Sequence, residues 1–224
     1  TTGEHVFKHS ILRDMYGNEP FKQGDRLVSH SERVYNGRTI KSRKLIQSTD
    51  SNELKFVKSL CETCNGSTSQ DWDHEFDLFL RYLFANWKSL LVNGAVDLKK
   101  INKNHSKKSV RILYNYFCKL FGCLLFTNDR SVPTDIVDIV SGINYKNALG
   151  ISVVFDVDLE DVSDHREFLV KHDLTGDPSN ELNYRWALGF GPLKLGFWYK
   201  TPDRFVIGEP WYGKSKSISF VKNV

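Results

Sequence analysis

Residues 184–199, YRWALGFGPLKLGFWY, decide the fold class because their bulky apolar side chains recur at every second position on either side of Gly191-Pro192. A period of two is typical of a β-strand with one buried face. Gly and Pro favour turns, so the pair at 191–192 separates two such strands. The stretch therefore predicts an antiparallel pair of strands joined by a tight turn.

The two faces of this pair differ in chemistry. One face is expected to join the core, and it consists of Tyr184, Trp186, Leu188, Phe190, Leu193, Leu195, Phe197 and Tyr199. The opposite face carries Arg185, Lys194 and Lys200 between small residues, with Trp198 as its aromatic member. The alternation predicts a sheet with one apolar and one basic face.

Strands are also expected on both sides of this pair. Residues 151–160 alternate in the same way and predict a half-buried strand. After Asp177-Pro178 we expect a β-meander that runs to the end of the chain. A further strand of that meander would add Arg204 to the basic face and place Phe205 and Ile207 in the core.

The middle of the chain has a helical period. Apolar residues recur at three and four over 71–91 and again over about 106–125, and a short helix is expected to begin near Pro133. Near the N-terminus, Asn36-Gly37 lies between β-compatible runs and predicts a hairpin. We therefore expect one α+β domain over 1–224: a short N-terminal hairpin and loops in 1–70, a helical region in 71–145, and a mainly antiparallel sheet in 150–224.

The formal charge of +4 is unevenly distributed. The net charge, counted as Lys and Arg minus Asp and Glu, is +3 for residues 1–70, +4 for 71–130, −8 for 131–181 and +5 for 182–224. Seven basic residues and no acidic one lie between Leu98 and Asn128, namely Lys99, Lys100, Lys103, Lys107, Lys108, Arg111 and Lys119. Such a run suits either a solvated surface or a phosphate-facing patch.

The basic sheet face gives the leading functional hypothesis, a non-enzymatic protein that binds RNA, single-stranded DNA or another phosphate-rich surface, with a viral structural or replication-associated protein as the candidate type. Cations neutralise phosphates, and an indole stacks on an unpaired base. The expected binding residues are Arg185, Lys194, Trp198, Lys200 and Arg204 on the sheet, Lys99, Lys100, Lys103, Lys107, Lys108 and Arg111 in the central run, and Arg38 and Arg43 in the hairpin. The structural alternative is that the charges keep the face soluble while Trp198 packs under a loop.

A second hypothesis is a metal-dependent enzyme. Asp156, Asp158 and Glu160 fall on one side of the strand over 151–160, where carboxylates can hold Mg²⁺ or Mn²⁺. The corresponding activity would be that of a nuclease, phosphotransferase or glycosyltransferase. The competing interpretation is an edge strand whose charges discourage aggregation.

Other sites receive less support. Cys61-x-x-Cys64 has the spacing of half a zinc site, but Cys118 and Cys123 lie in a predicted helix, so free thiols are favoured over zinc and no cofactor is expected. Phosphate-loop, Gly-x-Ser-x-Gly and His-Glu-x-x-His motifs are absent from the sequence.

The remaining expectations concern partners and compartment. A third hypothesis is a protein-interaction module in which the acidic 131–181 block docks a basic surface of a partner or of another copy. No apolar run long enough for a membrane span and no signal-like N-terminus are found, so a cytoplasmic or nuclear protein is expected, in a host cell if the protein is viral. The alternative is a secreted protein, which the glycosylation-type triplets at Asn65 and Asn104 would fit.

Overall fold

The structure is a computed structural model that describes residues 4–21, 27–35, 38–57, 60–101, 107–143, 148–156, 169–177, 180–201 and 206–223. Within these ranges the backbone alone is described for 27–35, 38–44, 64, 156, 177, 180–182 and 222–223.

Helices in the described ranges occupy the middle of the chain, with one short helix before them. They are α1 (His9–Tyr16), α2 (Gln70–Asn93), α3 (Lys107–Thr127) and α4 (Thr134–Val140). The strands are β1 (Leu27–Tyr35), β2 (Arg38–Ile46), β3 (Ala95–Asp97), β4 (Leu149–Asp156), β5 (Leu169–His172), β6 (Thr175–Asp177), β7 (Asn180–Phe190), β8 (Leu193–Tyr199) and β9 (Ser217–Asn223). Short 3-10 turns occur at Asn52–Leu54 and Leu98–Lys100.

The strands form one mixed sheet in the order β2-β1-β5-β7-β8-β4-β9-β3, with β6 paired to β7 outside this path. The β1–β5 and β4–β9 pairs are parallel, and the other pairs are antiparallel. The predicted α+β class is confirmed, as is the mostly antiparallel sheet. The N-terminal hairpin is an extension of the same sheet, because β1 pairs with β5.

Strands β7 and β8 have the predicted register and burial. Trp186 pairs with Phe197 and Leu188 with Leu195, and all four side chains are buried. Helix α3 covers this face, since the rings of Phe121 and Phe197 stack with centroids 6.3 Å apart. The apolar side of the alternation therefore forms the core between sheet and helices.

The predicted meander does not continue in the described residues that follow β8, and Phe205 lies outside them. Lys200 has a φ of 46°, which turns the chain out of the sheet, and residues 206–210 form no strand. Ile207, expected in the core, is 52% exposed. Strand β9 then returns on the far side of β4, parallel to it, and pairs with β3. The expectation for Ile207 was wrong because side-chain alternation carries no information about where a chain leaves a sheet.

Helix α3 is apolar enough, by length and composition, to be a candidate membrane span, but 72% of its apolar window is buried inside the protein. This burial is typical of a core helix, and the structure is consistent with a soluble protein. One charged residue of α3 is buried with the apolar ones: the Lys119 ammonium lies 3.0 Å from the Glu4 carboxylate and 2.9 Å from that of Asp73. Burial lowers the pKa of Lys119, but these two carboxylates outweigh it, so the net shift is upward. Lys119 is therefore not part of a basic surface.

Candidate nucleic-acid interface

The face of the sheet opposite α3, called the outer face below, is built from three rows of paired residues across β7, β8 and β4. The first row is Arg185, Trp198 and Gly150; the second is Ala187, Gly196 and Ser152; the third is Gly189, Lys194 and Val154. The middle row consists of small residues, whereas its neighbours carry the cations and the indole. This arrangement follows directly from the predicted alternation.

The Nε1 edge of the Trp198 indole lies against the middle row. Its indole N–H donates to the Ser152 hydroxyl at 2.7 Å. A Cβ atom at Gly196 would stand 3.1 Å from the indole nitrogen and 3.2 Å from Cζ2, so the ring rests directly on that glycine. Because Gly196 has no side chain, the indole can approach the sheet this closely, and the hydrogen bond fixes its orientation.

A cleft of about 340 Å³ opens beside Trp198. It is lined by His172, Asp173, Thr175, Arg185, Trp186, Ala187, Trp198 and Ile207. Trp198 is half-buried at this cleft, neither deep in the core nor fully exposed. The cleft therefore combines an aromatic ring, a guanidinium and a carboxylate, with small side chains at its floor.

The segment from Val206 to Tyr212 covers part of the outer face. A Cβ at Gly150 would stand 2.8 Å from Pro210, and one at Gly208 would collide with Val221. This segment thus crosses the β4–β9 side of the face and brings Ile207 to the cleft. Ile207 from this segment and Trp198 line the same cleft, and the β7 side of that cleft is formed by Arg185, Trp186 and Ala187.

The other predicted basic residues lie elsewhere. Lys200 follows the end of β8, and its ammonium is 5.2 Å from the centre of the Tyr199 ring, on the core side of the strand. Lys99 and Lys100 are exposed in the 3-10 turn after β3, and Lys107, Lys108 and Arg111 are exposed at the start of α3. Arg38 and Arg43 lie on β2, where the backbone alone is described. Lys103 and Arg204 lie outside the described residues.

The order of strands separates these groups. Strands β2 and β3 are the two ends of the sheet, and the β7–β8 pair lies midway between them. With a spacing of about 4.8 Å between strands, each edge is about 14 Å from the central pair along the sheet. The β3 turn is therefore remote from the central pair, whereas hairpin strand β1 pairs directly with β5, whose His172 lines the cleft.

The structure describes the predicted carboxylate site only in part, and it describes three of the four cysteine side chains. Asp156 ends β4 with only its backbone described, and Asp158 and Glu160 lie outside the described residues. Cys61 is disulfide-bonded, so the expectation of a free thiol was wrong there, whereas Cys118 and Cys123 are buried thiols that form no disulfide. Burial raises the pKa of the Cys118 thiol, which keeps it protonated and a poor zinc ligand at neutral pH. Because disulfides are rare in the cytosol, the expected cytoplasmic or nuclear location stays a prediction.

Comparison with protein families, with curated proteins and with solved structures found no match to this chain.

Proposed function

We propose that the protein binds single-stranded nucleic acid, RNA or DNA, at the outer-face cleft. The observation that carries the proposal is the indole of Trp198, whose Nε1 edge is held against Gly196 by its bond to Ser152 and which lines the cleft on the β7 side. A ring fixed in this way provides a platform for one unpaired base without a further loss of side-chain entropy on binding.

Charge supports the same interpretation. Arg185 is paired directly across from Trp198, and Lys194 lies at the other end of the β7–β8 pair. Two cations on the same face as the indole suit the phosphates on either side of a stacked base. Asp173 in the cleft opposes a polyanion, so we expect weak binding of one or two nucleotides by each protein molecule.

The test is the affinity of fluorescently labelled oligouridine and oligothymidine for the protein and for Trp198→Ala, measured by anisotropy. Loss of one stacking contact is expected to weaken binding by about 1 to 3 kcal/mol, or roughly 5- to 150-fold. Trp87→Ala is the matched control, since Trp87 is a half-buried indole on α2. It should leave affinity unchanged.

Duplex RNA separates base stacking from plain electrostatic attraction, because paired bases are not available to Trp198. We expect Trp198→Ala to leave duplex binding unaltered. Equal losses for duplex and single strand, or equal affinities of the Trp198 and Trp87 variants, would remove the basis of the proposal. Stronger binding to anionic lipid vesicles, independent of Trp198, would point to a membrane surface and would also refute it.

The hypotheses of a metal-dependent enzyme at Asp156, Asp158 and Glu160, and of a docking module in the acidic 131–181 block, remain alternatives. Neither gains a specific observation from the described residues.

A further inference from the structure

A group of three potential metal ligands includes none of the residues considered so far. One ligand atom each from His5, His9 and Asp50 lies within 4.8 Å of the others. We propose that these three side chains bind a divalent transition-metal ion, with Zn²⁺ as its representative. The inference is independent of nucleic-acid binding.

Three separate backbone elements hold the ligands in place. His5 forms an antiparallel bridge with Lys55, which is secured by the hydrogen bond from the Phe56 amide to the Glu4 carbonyl at 2.8 Å. His9 is the first residue of α1. Between the two histidines, Val6 and Phe7 are each 1% exposed, so the core anchors the link that joins them.

Asp50 reaches the histidines from the turn after β2. That turn is closed by the bond from the Ser51 amide to the Ser48 carbonyl at 3.2 Å. The Asp50 carboxylate lies 3.7 Å from Nε2 of His5 and accepts a bond from the Lys55 ammonium at 2.7 Å. Lys55 thus holds the carboxylate in the metal-free protein, and a metal ion would share or replace that contact.

Nε2 of His5 is a buried polar atom without a hydrogen-bond partner among the described residues. A buried polar atom in this condition costs free energy unless something satisfies it. It faces the Asp50 carboxylate at a distance too long for a hydrogen bond. A metal ion between the two groups would satisfy both.

The imidazoles must rotate for binding. Their rings are stacked with centroids 4.6 Å apart and planes at 11°, so their lone pairs run nearly parallel and do not meet at one point. Zn–N bonds of about 2.0–2.1 Å in tetrahedral geometry place ligand atoms about 3.4 Å apart. Rotation of the imidazoles about χ2, a soft torsion, would turn their lone pairs toward one point and bring the ligand atoms closer together without moving the anchored backbone.

The ligand types define the class of ion. Two imidazoles and one carboxylate suit zinc and its first-row neighbours, whereas Mg²⁺ and Ca²⁺ prefer sites made of oxygen. Three protein ligands leave a fourth position for water or a small anion. The His-x-x-x-His spacing was available in the sequence, but Asp50 is brought to it only by the fold.

The experiment is calorimetric titration of the tag-free full chain, first freed of metal with a chelator, using Zn²⁺ and Mg²⁺ in parallel. We expect one Zn²⁺ per chain and no Mg²⁺ binding. Loss of a residue that supports a metal ligand without binding the metal weakens metal affinity roughly 10- to 100-fold. Asp50→Asn and His9→Ala each remove a ligand, so each should weaken Zn²⁺ binding by at least that factor. Both variants alter partly or fully exposed side chains, and circular dichroism checks that they fold.

The controls are His74→Ala, at an exposed histidine on α2, and Asp129→Asn, at an exposed carboxylate after α3. Both should retain the affinity and stoichiometry of the original protein. Zn²⁺ should also raise the thermal midpoint of the original protein and not that of Asp50→Asn. Absence of Zn²⁺ binding, or equal affinities in the ligand and control variants, overturns the proposal.

Discussion

Lys119→Met should be among the most destabilising substitutions on α3, because it removes the cation from a buried ion-pair cluster. The Lys119 side chain is 1% exposed and contacts the carboxylates of Glu4 at 3.0 Å and Asp73 at 2.9 Å. In the variant, the Asp73 carboxylate, which is 21% exposed, still has the Lys8 ammonium 3.0 Å away as an ion-pair partner. The Glu4 side chain is only 8% exposed and loses its ion-pair partner, Lys119. Leaving one buried charge unpaired costs about 3–5 kcal/mol, and we expect that loss.

Urea denaturation followed by circular dichroism measures the free energy of unfolding, with the slope m as a check on the cooperativity of the transition. Glu4→Gln combined with Lys119→Met removes both charges and should recover much of the loss. Lys88→Met, at an exposed lysine of α2, should stay within about 0.5 kcal/mol of the original protein. A loss below about 1 kcal/mol for Lys119→Met, or a double variant no more stable than the single one, would refute the reasoning.

Four further predictions concern single side chains. Tyr114→Phe removes a buried hydroxyl that exchanges bonds of 2.8 and 3.0 Å with the start of β4, and should cost about 1–3 kcal/mol in urea denaturation. Tyr116→Phe should be neutral or stabilising in the same assay, because its buried hydroxyl has no partner among the described residues; a loss equal to that of Tyr114→Phe would contradict this. Burial, then the nearby His9, lowers the pKa of His5 to about 4. As pH falls from about 6.5 toward 4, His5 is protonated in the unfolded chain before it is protonated in the folded protein, which lowers the free energy of unfolding. With a chelator present, the original protein should therefore lose more free energy of unfolding over this pH range than His5→Gln does. Equal losses in the two proteins would contradict this prediction. Gly196→Val should displace the indole of Trp198, seen as a change in tryptophan fluorescence, and weaken oligouridine binding; unchanged affinity would count against the platform.

Local periodicity was sufficient to predict α2, α3 and the β7–β8 pair, but not the short helix α1. The alternation over 184–199 correctly separated the buried side chains of β7 and β8 from Arg185, Lys194 and Trp198. Helices α2 and α3 followed from apolar residues at three and four, and burial of the same residues stabilises them in the structure. These elements were predictable because each depends on contacts that recur at short, regular intervals.

Features that depend on contacts between distant segments were missed. Strand β9 pairs in parallel with β4, and β1 pairs in parallel with β5, and neither pairing leaves a periodic signal. In the sequence, Lys119 belongs to a run of basic residues. In the structure it is buried and forms an ion pair with Glu4, which is 115 residues away along the chain. The bond from Trp198 to Ser152 likewise depends on the neighbouring strand.

The salt dependence of oligouridine affinity tests the central claim most directly. If Arg185 and Lys194 neutralise two phosphates, the logarithm of the association constant should fall with the logarithm of salt concentration at a slope of about −1.4, and Lys194→Ala should reduce the slope to about −0.7. Lys88→Ala should leave the slope unchanged. A slope near zero, or one that Lys194→Ala does not alter, would contradict binding at the outer face.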